Sequence, residues 1–191
     1  YILSLYLNNE FFIFTFLCLV FPTLFYKREK YQTSDAVYLF GCILFLVMFC
    51  KSLIFLRMDN VYILWYLIFI AIFTDTFAFL IGSVIGHHKC SPRISPNKTW
   101  EGSIAGTIVG ALLATLFYVI KIGNKNILNV IVVSILLSVA GQLGDLFFSK
   151  IKRENDIKDF SRLIPGHGGI LDRIDSLIFI VLSYIVLAGI M

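Results

Sequence analysis

Between Gly141 and Ser176 the chain reads GQLGDLFFSKIKRENDIKDFSRLIPGHGGILDRIDS, its densest run of residues able to do chemistry. Asp145 lies near the end of one apolar segment, and Asp172, Asp175 and Ser176 share one face of the first turns of the next. Lys150, Lys152, Arg153, Lys158, Arg162 and Arg173 stand between or beside them. Carboxylates amid basic side chains suit hard divalent cations that bridge protein carboxylates to substrate phosphates, with Lys and Arg neutralising the remaining phosphate charge. Gly166, Gly168 and Gly169 around His167 let the backbone turn tightly and approach a ligand closely. A solvated basic loop on anionic lipid would account for the cations but not for the acids. A helix dipole would account for one acid at the start of the last segment, not for two beside an Arg.

A fourth carboxylate, Asp75, lies inside the apolar run DTFAFLIGSVIG. Ala71, Asp75, Ala78 and Gly82 follow helical spacing, so the acid sits on a stripe of small residues that admits a neighbouring helix. An intramembrane carboxylate faces a partner or a wet cavity. An interhelical hydrogen bond from a protonated Asp75 is the plainer alternative. The next connection, HHKCSPRISPNKTWEG, carries Lys98, and its two prolines rule out a regular helix there. His87 and His88 have no third ligand at metal spacing and read as polar loop residues. Gly102, Gly106, Gly110 and Ala114 recur every four residues and form a close-packing face. Ser134, Ser138, Gln142, Asp145, Ser149 and Lys152 form one polar stripe, which must line a bundle interior because lipid would not tolerate it.

The elements that hold these residues are set by composition. With 191 residues, 59% of them hydrophobic and 15% charged, the chain is too apolar to cover a soluble core. The mean hydropathy of +0.88 says the same. An all-α, polytopic transmembrane bundle follows, with about six spans at 11–26, 36–56, 61–85, 102–120, 127–148 and 174–191. No repeat or low-complexity linker interrupts it, so one integral-membrane domain is expected over 1–191. Residues 1–60 supply N-terminal helices of unassigned role and 61–191 a catalytic core. The first, third and fifth connections carry twelve Lys or Arg against four on the other side, which places those connections in the cytoplasm and both termini outside. Asp75, Asp145, Asp172 and Asp175 then converge near the inner leaflet. The four cysteines show no CxxC or Cys/His spacing and read as small buried hydrophobes. No secretory signal peptide is evident, and the chain opens on Tyr1 rather than Met, which is compatible with a missing N-terminal piece.

These residues carry a resemblance. Ser149-x-Ile-Lys-Arg, then Lys158-Asp159-x-Ser161, then Ile164-Pro-x-His167-Gly-Gly-Ile-x-Asp172-Arg-Ile-Asp175 is similar to the 27-residue signature of the phosphatidate cytidylyltransferase (CDP-diacylglycerol synthase) family. The preceding GQLGD fits as well, SPNKTWEG resembles that family's SPKKTxEG, and DTFAFLIGSVIG its DTGAYxxGRxxG element. The resemblance covers about residues 65–191. Four positions depart from it: Asn97 replaces a Lys, Phe77 a Gly, Phe79 a Tyr and Ser83 an Arg. It implies transfer of the cytidylyl group of CTP to phosphatidate, giving CDP-diacylglycerol and pyrophosphate, with Mg²⁺ alone or with a second cation. Asp145 and Asp172 would be metal ligands, and Asp75 and Asp175 further ligands or outer-shell groups. Lys98, Lys152, Arg153 and Arg173 would hold phosphates, with Lys158 and His167 in the same substrate-binding set, and Ser95 and Ser149 would donate hydrogen bonds. Asp145, Asp172, Lys98 and Asp175 would form the catalytic group.

The expected partners are CTP, phosphatidate and the bilayer, with no nucleic acid, and a homodimer is compatible with the reading. The expected location is the inner membrane of a bacterium, with the site facing the cytoplasm. A related CTP-using membrane enzyme, such as a polyprenol kinase or an archaeal-type cytidylyltransferase, would share acids and setting. An ion-coupled transporter would place Asp75 and Asp145 in an ion pathway, but there the acids would sit at the midplane of inverted repeats rather than toward one leaflet.

Overall fold

The computed structural model describes residues 17–18, 33–123, 126–161 and 168–190. Apart from Leu17 and Cys18, which are helical, the expected first span lies outside the described residues, as do Arg162 and His167. The chain divides into two compact units, Tyr1–Phe55 and Leu56–Met191, with the division falling inside helix α1 (Thr33–Asp59). In the first unit α1 carries Asp35 in its opening turn, where a carboxylate suits the helix dipole, and its apolar residues Val37, Tyr38 and Met48 are exposed. Cys42 and Cys50 of α1 are exposed as well, as is Cys18, and not buried as expected, because on an apolar helix a small hydrophobe is tolerated on any face that meets lipid.

The second unit contains α2 (Val61–Ile85), a hairpin of β1 (Lys89–Ser91) and β2 (Ser95–Thr99), α3 (Trp100–Lys121), α4 (Ile127–Glu154) and α5 (Leu171–Leu187), followed by a short 3₁₀ turn, Ala188–Ile190. By length and composition α1, α2, α3 and α4 can each cross a membrane. Four of the six expected spans therefore stand as membrane-length apolar helices. The expected sixth is α5, whose 17 residues sit at the lower limit of what a hydrocarbon core requires.

Local sequence explains where the helices start. The Asn60 side chain accepts from the Tyr62 amide to cap α2, Thr99 Oγ1 accepts from the Gly102 amide to cap α3, and Asn126 accepts from the Leu128 amide to cap α4. Each side chain satisfies one backbone donor that the first helical turn leaves unpaired. The connection with two prolines, which the sequence marks only as non-helical, folds into the antiparallel pair β1–β2, with Lys89 opposite Thr99 and Ser91 opposite Ser95.

Two faces of α3 show how the bundle is arranged. Ile104, Ile108, Leu112, Leu116 and Ile120 recur every four residues and are all more than half exposed. Such a stripe is untenable in water and suited to lipid. The other face carries Gly102, Gly106 and Gly110, all buried. A Cβ at Gly106 would lie 2.6 Å from the Thr74 carbonyl oxygen, and one at Gly110 would lie 2.6 Å from Thr74 Oγ1. Glycine is therefore what lets the α2 and α3 backbones touch, and this contact holds the Asp75 segment of α2 against α3.

The polar stripe of α4 lies inside this unit, as lipid exclusion requires. Ser134 and Ser138 are fully buried. Ser134 Oγ is 2.7 Å from the Tyr66 hydroxyl and 3.1 Å from Thr115 Oγ1, and Ser138 Oγ is 2.8 Å from Thr74 Oγ1. One turn further, Gln142 Nε2 donates to the Ser103 carbonyl at 3.1 Å and to Thr107 Oγ1 at 2.8 Å. These bonds fix the rotation of α4 against α2 and α3, and so fix the direction in which Asp145 points.

Candidate active site

A cavity of about 300 Å³ opens where α2, β2, α3, α4 and α5 meet. Its wall includes all four carboxylates singled out in the sequence, Asp75, Asp145, Asp172 and Asp175, together with Lys98. Three helices contribute the acids, so only the folded bundle assembles them. Asn97 and Phe79, two of the positions that depart from the resemblance, also line it.

Two of the carboxylates are paired with lysines. Lys98 Nζ lies 2.5 Å from Asp145 Oδ2, with the side chains 21% and 28% exposed. The same ammonium donates to the Gln142 backbone carbonyl at 3.4 Å. Lys152 Nζ donates to Asp172 Oδ1 at 2.9 Å, and here the side chains are only 12% and 6% exposed. The other oxygen of Asp172 accepts from the Gly169 and Phe160 amides, each at 3.0 Å. Burial pushes the Asp172 carboxyl up, but the Lys152 ammonium and these two amides outweigh it and hold the group below the usual carboxylate range.

The glycine turn contributes by close approach. Gly168 has φ +81°, and a Cβ on Gly169 would lie 2.5 Å from Ser161 Oγ and 3.1 Å from Asp172 Oδ2. Only a residue without a side chain lets this backbone close on Asp172.

The remaining two acids have hydrogen-bond donors rather than cations. Ser176 Oγ donates to Asp75 Oδ2 at 3.3 Å, and the Ser176 amide donates to Asp175 Oδ1 at 2.8 Å. Among the described residues neither carboxylate has an ion-pair partner. Ser176, on the acid face of α5, thus ties α5 to Asp75 on α2. Ser149 Oγ donates to Asp145 Oδ1 at 3.4 Å.

The other candidates stand further out. Arg153 is exposed, and its Nε reaches the Ile94 carbonyl at the hairpin tip at 3.5 Å. Lys158 and Arg173 are exposed, and Ser95 is half-buried in β2; none of the three lines the cavity. Conversely, Asn97, Thr99, Ser103 and Gln142 line it and were not singled out as ligands. Of these, Gln142 has a signal in the α4 stripe and Asn97 and Thr99 lie in the SPNKTWEG motif, while Ser103 has none.

As these side chains are placed, no three or more His, Cys, Asp or Glu among the described residues are arranged to hold a metal ion. The donor set nevertheless suits one. Four carboxylates share one cavity and two lysines offset half of their charge, leaving an excess that one hard divalent cation with oxygen ligands would balance. Chemically, the arrangement is an acidic floor with two lysine ammonium groups bonded to it, suited to a polyanionic substrate that arrives with a cation.

Known proteins resemble this chain. The phosphatidate cytidylyltransferase of Bacillus subtilis (strain 168) is 44% identical over 103 residues, 54% of this chain and 38% of that protein. That of Staphylococcus haemolyticus (strain JCSC1435) is 47% identical over 105 residues, 55% and 40% of the two chains, and that of Haemophilus influenzae (strain ATCC 51907 / DSM 11121 / KW20 / Rd) is 45% identical over 104 residues, 52% and 36%. The matched stretch spans about two fifths of the length of these curated relatives. The cytidylyltransferase family model matches residues 2–191, essentially the whole chain, and the chain belongs to that family.

Proposed function

We propose that this chain transfers the cytidylyl group of CTP to phosphatidate, releasing pyrophosphate and leaving CDP-diacylglycerol in the bilayer. The observation that carries the reading is the cavity wall itself, where Asp75 and Asp145 of two membrane-length helices meet Asp172 and Asp175 of α5 and Lys98 of β2. The names of the relatives supply the substrate classes. A phosphate oxygen of phosphatidate attacks the α-phosphorus of CTP; a new P–O bond forms, the bond between the α-phosphorus and its bridging oxygen to the β-phosphate breaks, and the electron pair leaves with pyrophosphate. The phosphate monoester is already an anionic nucleophile at neutral pH, so no dedicated general base is required. The chain must supply alignment and charge neutralisation.

The residues divide that work. Asp145 and Asp172 would hold Mg²⁺, with Asp75 and Asp175 as additional ligands or supports for them. Bound there, Mg²⁺ would offset phosphate charge and join the substrates to the carboxylates. Lys98 and Lys152 neutralise phosphate oxygens as point charges, and Ser149 and Ser176 orient the acids through the bonds described above. Acyl chains remain among the helices' lipid-facing surfaces while the headgroup enters the cavity.

The deciding experiment incubates purified protein in vesicles with phosphatidate and labelled CTP, followed by lipid extraction. Label in CDP-diacylglycerol is the expected result; label in a phosphorylated polyprenol or in no lipid would reject the reading. The same reading puts the hairpin and the α4–α5 connection in the cytoplasm of a bacterial inner membrane. Single cysteines at Ser91 and Asn155, in a background without native cysteines, should be shielded from an impermeant thiol reagent in intact cells. Labelling of Asn155 from outside would overturn the sidedness.

A further inference from the structure

Two lysines are bonded to the acids assigned to the cation: Lys98, which lines the cavity, to Asp145 at 2.5 Å and Lys152 to Asp172 at 2.9 Å. An ammonium in contact with a carboxylate repels a divalent cation brought to that same carboxylate, strongly so where water is scarce. Both pairs are largely shielded, with no side chain among the four more than 28% exposed. The lysines and a cation therefore compete for the same two acids.

We infer that Lys98 and Lys152 are exchangeable counter-ions, which neutralise Asp145 and Asp172 in the substrate-free protein and pass to the phosphates of the nucleotide when the acids take up a divalent cation. This rests on the function proposed above. Several features make the exchange feasible. Lysine is a point charge on a flexible four-carbon stem, with no planar fork to lose on changing partners. Lys98 projects from the short strand β2 into the cavity, and its ammonium already has an alternative acceptor in the Gln142 carbonyl. The Lys152 ammonium lies 5.4 Å from the centroid of the Phe160 ring, which provides a second favourable surface near Asp172. Asp172 keeps two backbone amide donors when Lys152 leaves, so its carboxylate stays in position. Asp145 keeps Ser149.

The consequence is coupling. A cation alone must displace two ammonium groups that have nowhere equally good to go, so it binds weakly; a cation that arrives with a triphosphate brings the lysines new partners. Asp145 and Asp172 are thereby masked until substrate is present. By reciprocity, the nucleotide binds more tightly when the cation is present.

The test uses the full chain in lipid nanodiscs, with Mn²⁺ alone as the probe and no nucleotide, free Mn²⁺ being read by electron paramagnetic resonance. Lys98→Met and Lys152→Met each remove one competitor, so each should bind Mn²⁺ about tenfold more tightly than the unaltered chain, or better. Unchanged or weaker Mn²⁺ binding in both variants would overturn the exchange, because a lysine that merely supports the fold or binds phosphate gives no such gain. A second measurement needs no variant. Acylation of Lys98 by a small amine reagent, quantified by mass spectrometry, should rise severalfold on adding Mn²⁺ and fall again on adding CTP. Acylation indifferent to Mn²⁺ counts against the exchange. The two levels fail separately: CDP-diacylglycerol formation with no Mn²⁺ gain in the variants rejects only the exchange, whereas an Mn²⁺ gain without CDP-diacylglycerol formation rejects the proposed substrates.

Discussion

In the first half of α4, Ser134 and Ser138 are fully buried and bonded to hydroxyls of Tyr66, Thr115 and Thr74. In its second half, Asp145 and Lys152 belong to the same helical stripe but meet charged partners, Lys98 and Asp172, around a cavity. Spacing alone does not separate the two halves, since both are polar positions that lipid forbids. Chemistry separates them. Neutral hydroxyls satisfy one another across a helix contact and leave no charge to balance, whereas four carboxylates with two lysines leave an excess of charge and room for a ligand. The first half positions; the second half is where the proposed chemistry would take place.

The sharpest way to break this distinction is to remove charge while keeping shape. Asp145→Asn and Asp172→Asn should each reduce cytidylyl transfer to background while the protein still inserts and elutes as a folded species, because an amide lacks the charge that holds a hard cation. Turnover is measured with labelled CTP, and folding by size-exclusion chromatography. Most of the activity surviving in either variant at ordinary Mg²⁺ would remove that acid from the site.

Lys98 comes next in expected effect. Lys98→Met should lose on the order of a hundredfold in kcat/KM for CTP, comparable to deleting one preorganised transition-state contact. Asn97 beside it is neutral and offers no replacement charge. Lys98→Arg should recover part of the loss, since Arg keeps the charge but alters its geometry. A Lys98→Met enzyme with normal CTP kinetics, or one restored fully by extra Mg²⁺, would show that β2 does not reach the nucleotide phosphates.

How far these roles could be read beforehand depended on the kind of signal. The four acids were legible because an ionisable residue in or beside an apolar run has few stable placements, and helical spacing assigns it a face. The close packing of α2 on α3 was legible for a similar reason, in the repeat of Gly102, Gly106 and Gly110. The hairpin was not: the prolines of PRISP exclude a helix, but strands of three and five residues are too short to show a period-two pattern. Nor does spacing reveal partners between helices, so the Gln142 bonds to Ser103 and Thr107 emerged only from the fold. Basic residues were the least legible. Lys98 lines the cavity while Lys158 and Arg173 stand exposed off it, because long charged side chains are tolerated anywhere water reaches.

The smallest expected effect tests the positioning half directly. Ser138→Ala removes the 2.8 Å bond to Thr74 Oγ1, on the residue adjacent to Asp75. The orphaned Thr74 hydroxyl can turn to a carbonyl one helical turn back, so the loss is partly recovered. Interhelical hydrogen bonds in membranes contribute about 0.6 kcal/mol on average, and a similar drop in unfolding free energy is expected here, with cytidylyl transfer within about twofold of the unaltered chain. Ser138→Leu supplies the contrast. Ser138 is 0% exposed, and overfilling such a site costs roughly 1–3 kcal/mol and displaces its neighbours. If the hydroxyl ladder sets the rotation of α4, that displacement turns Asp145 away from Asp172 and activity falls more steeply than stability. Equal small losses in both variants would mean that α4 is held by the Gln142 bonds alone, and a large activity loss in Ser138→Ala would mean that the hydroxyl end takes part in the chemistry.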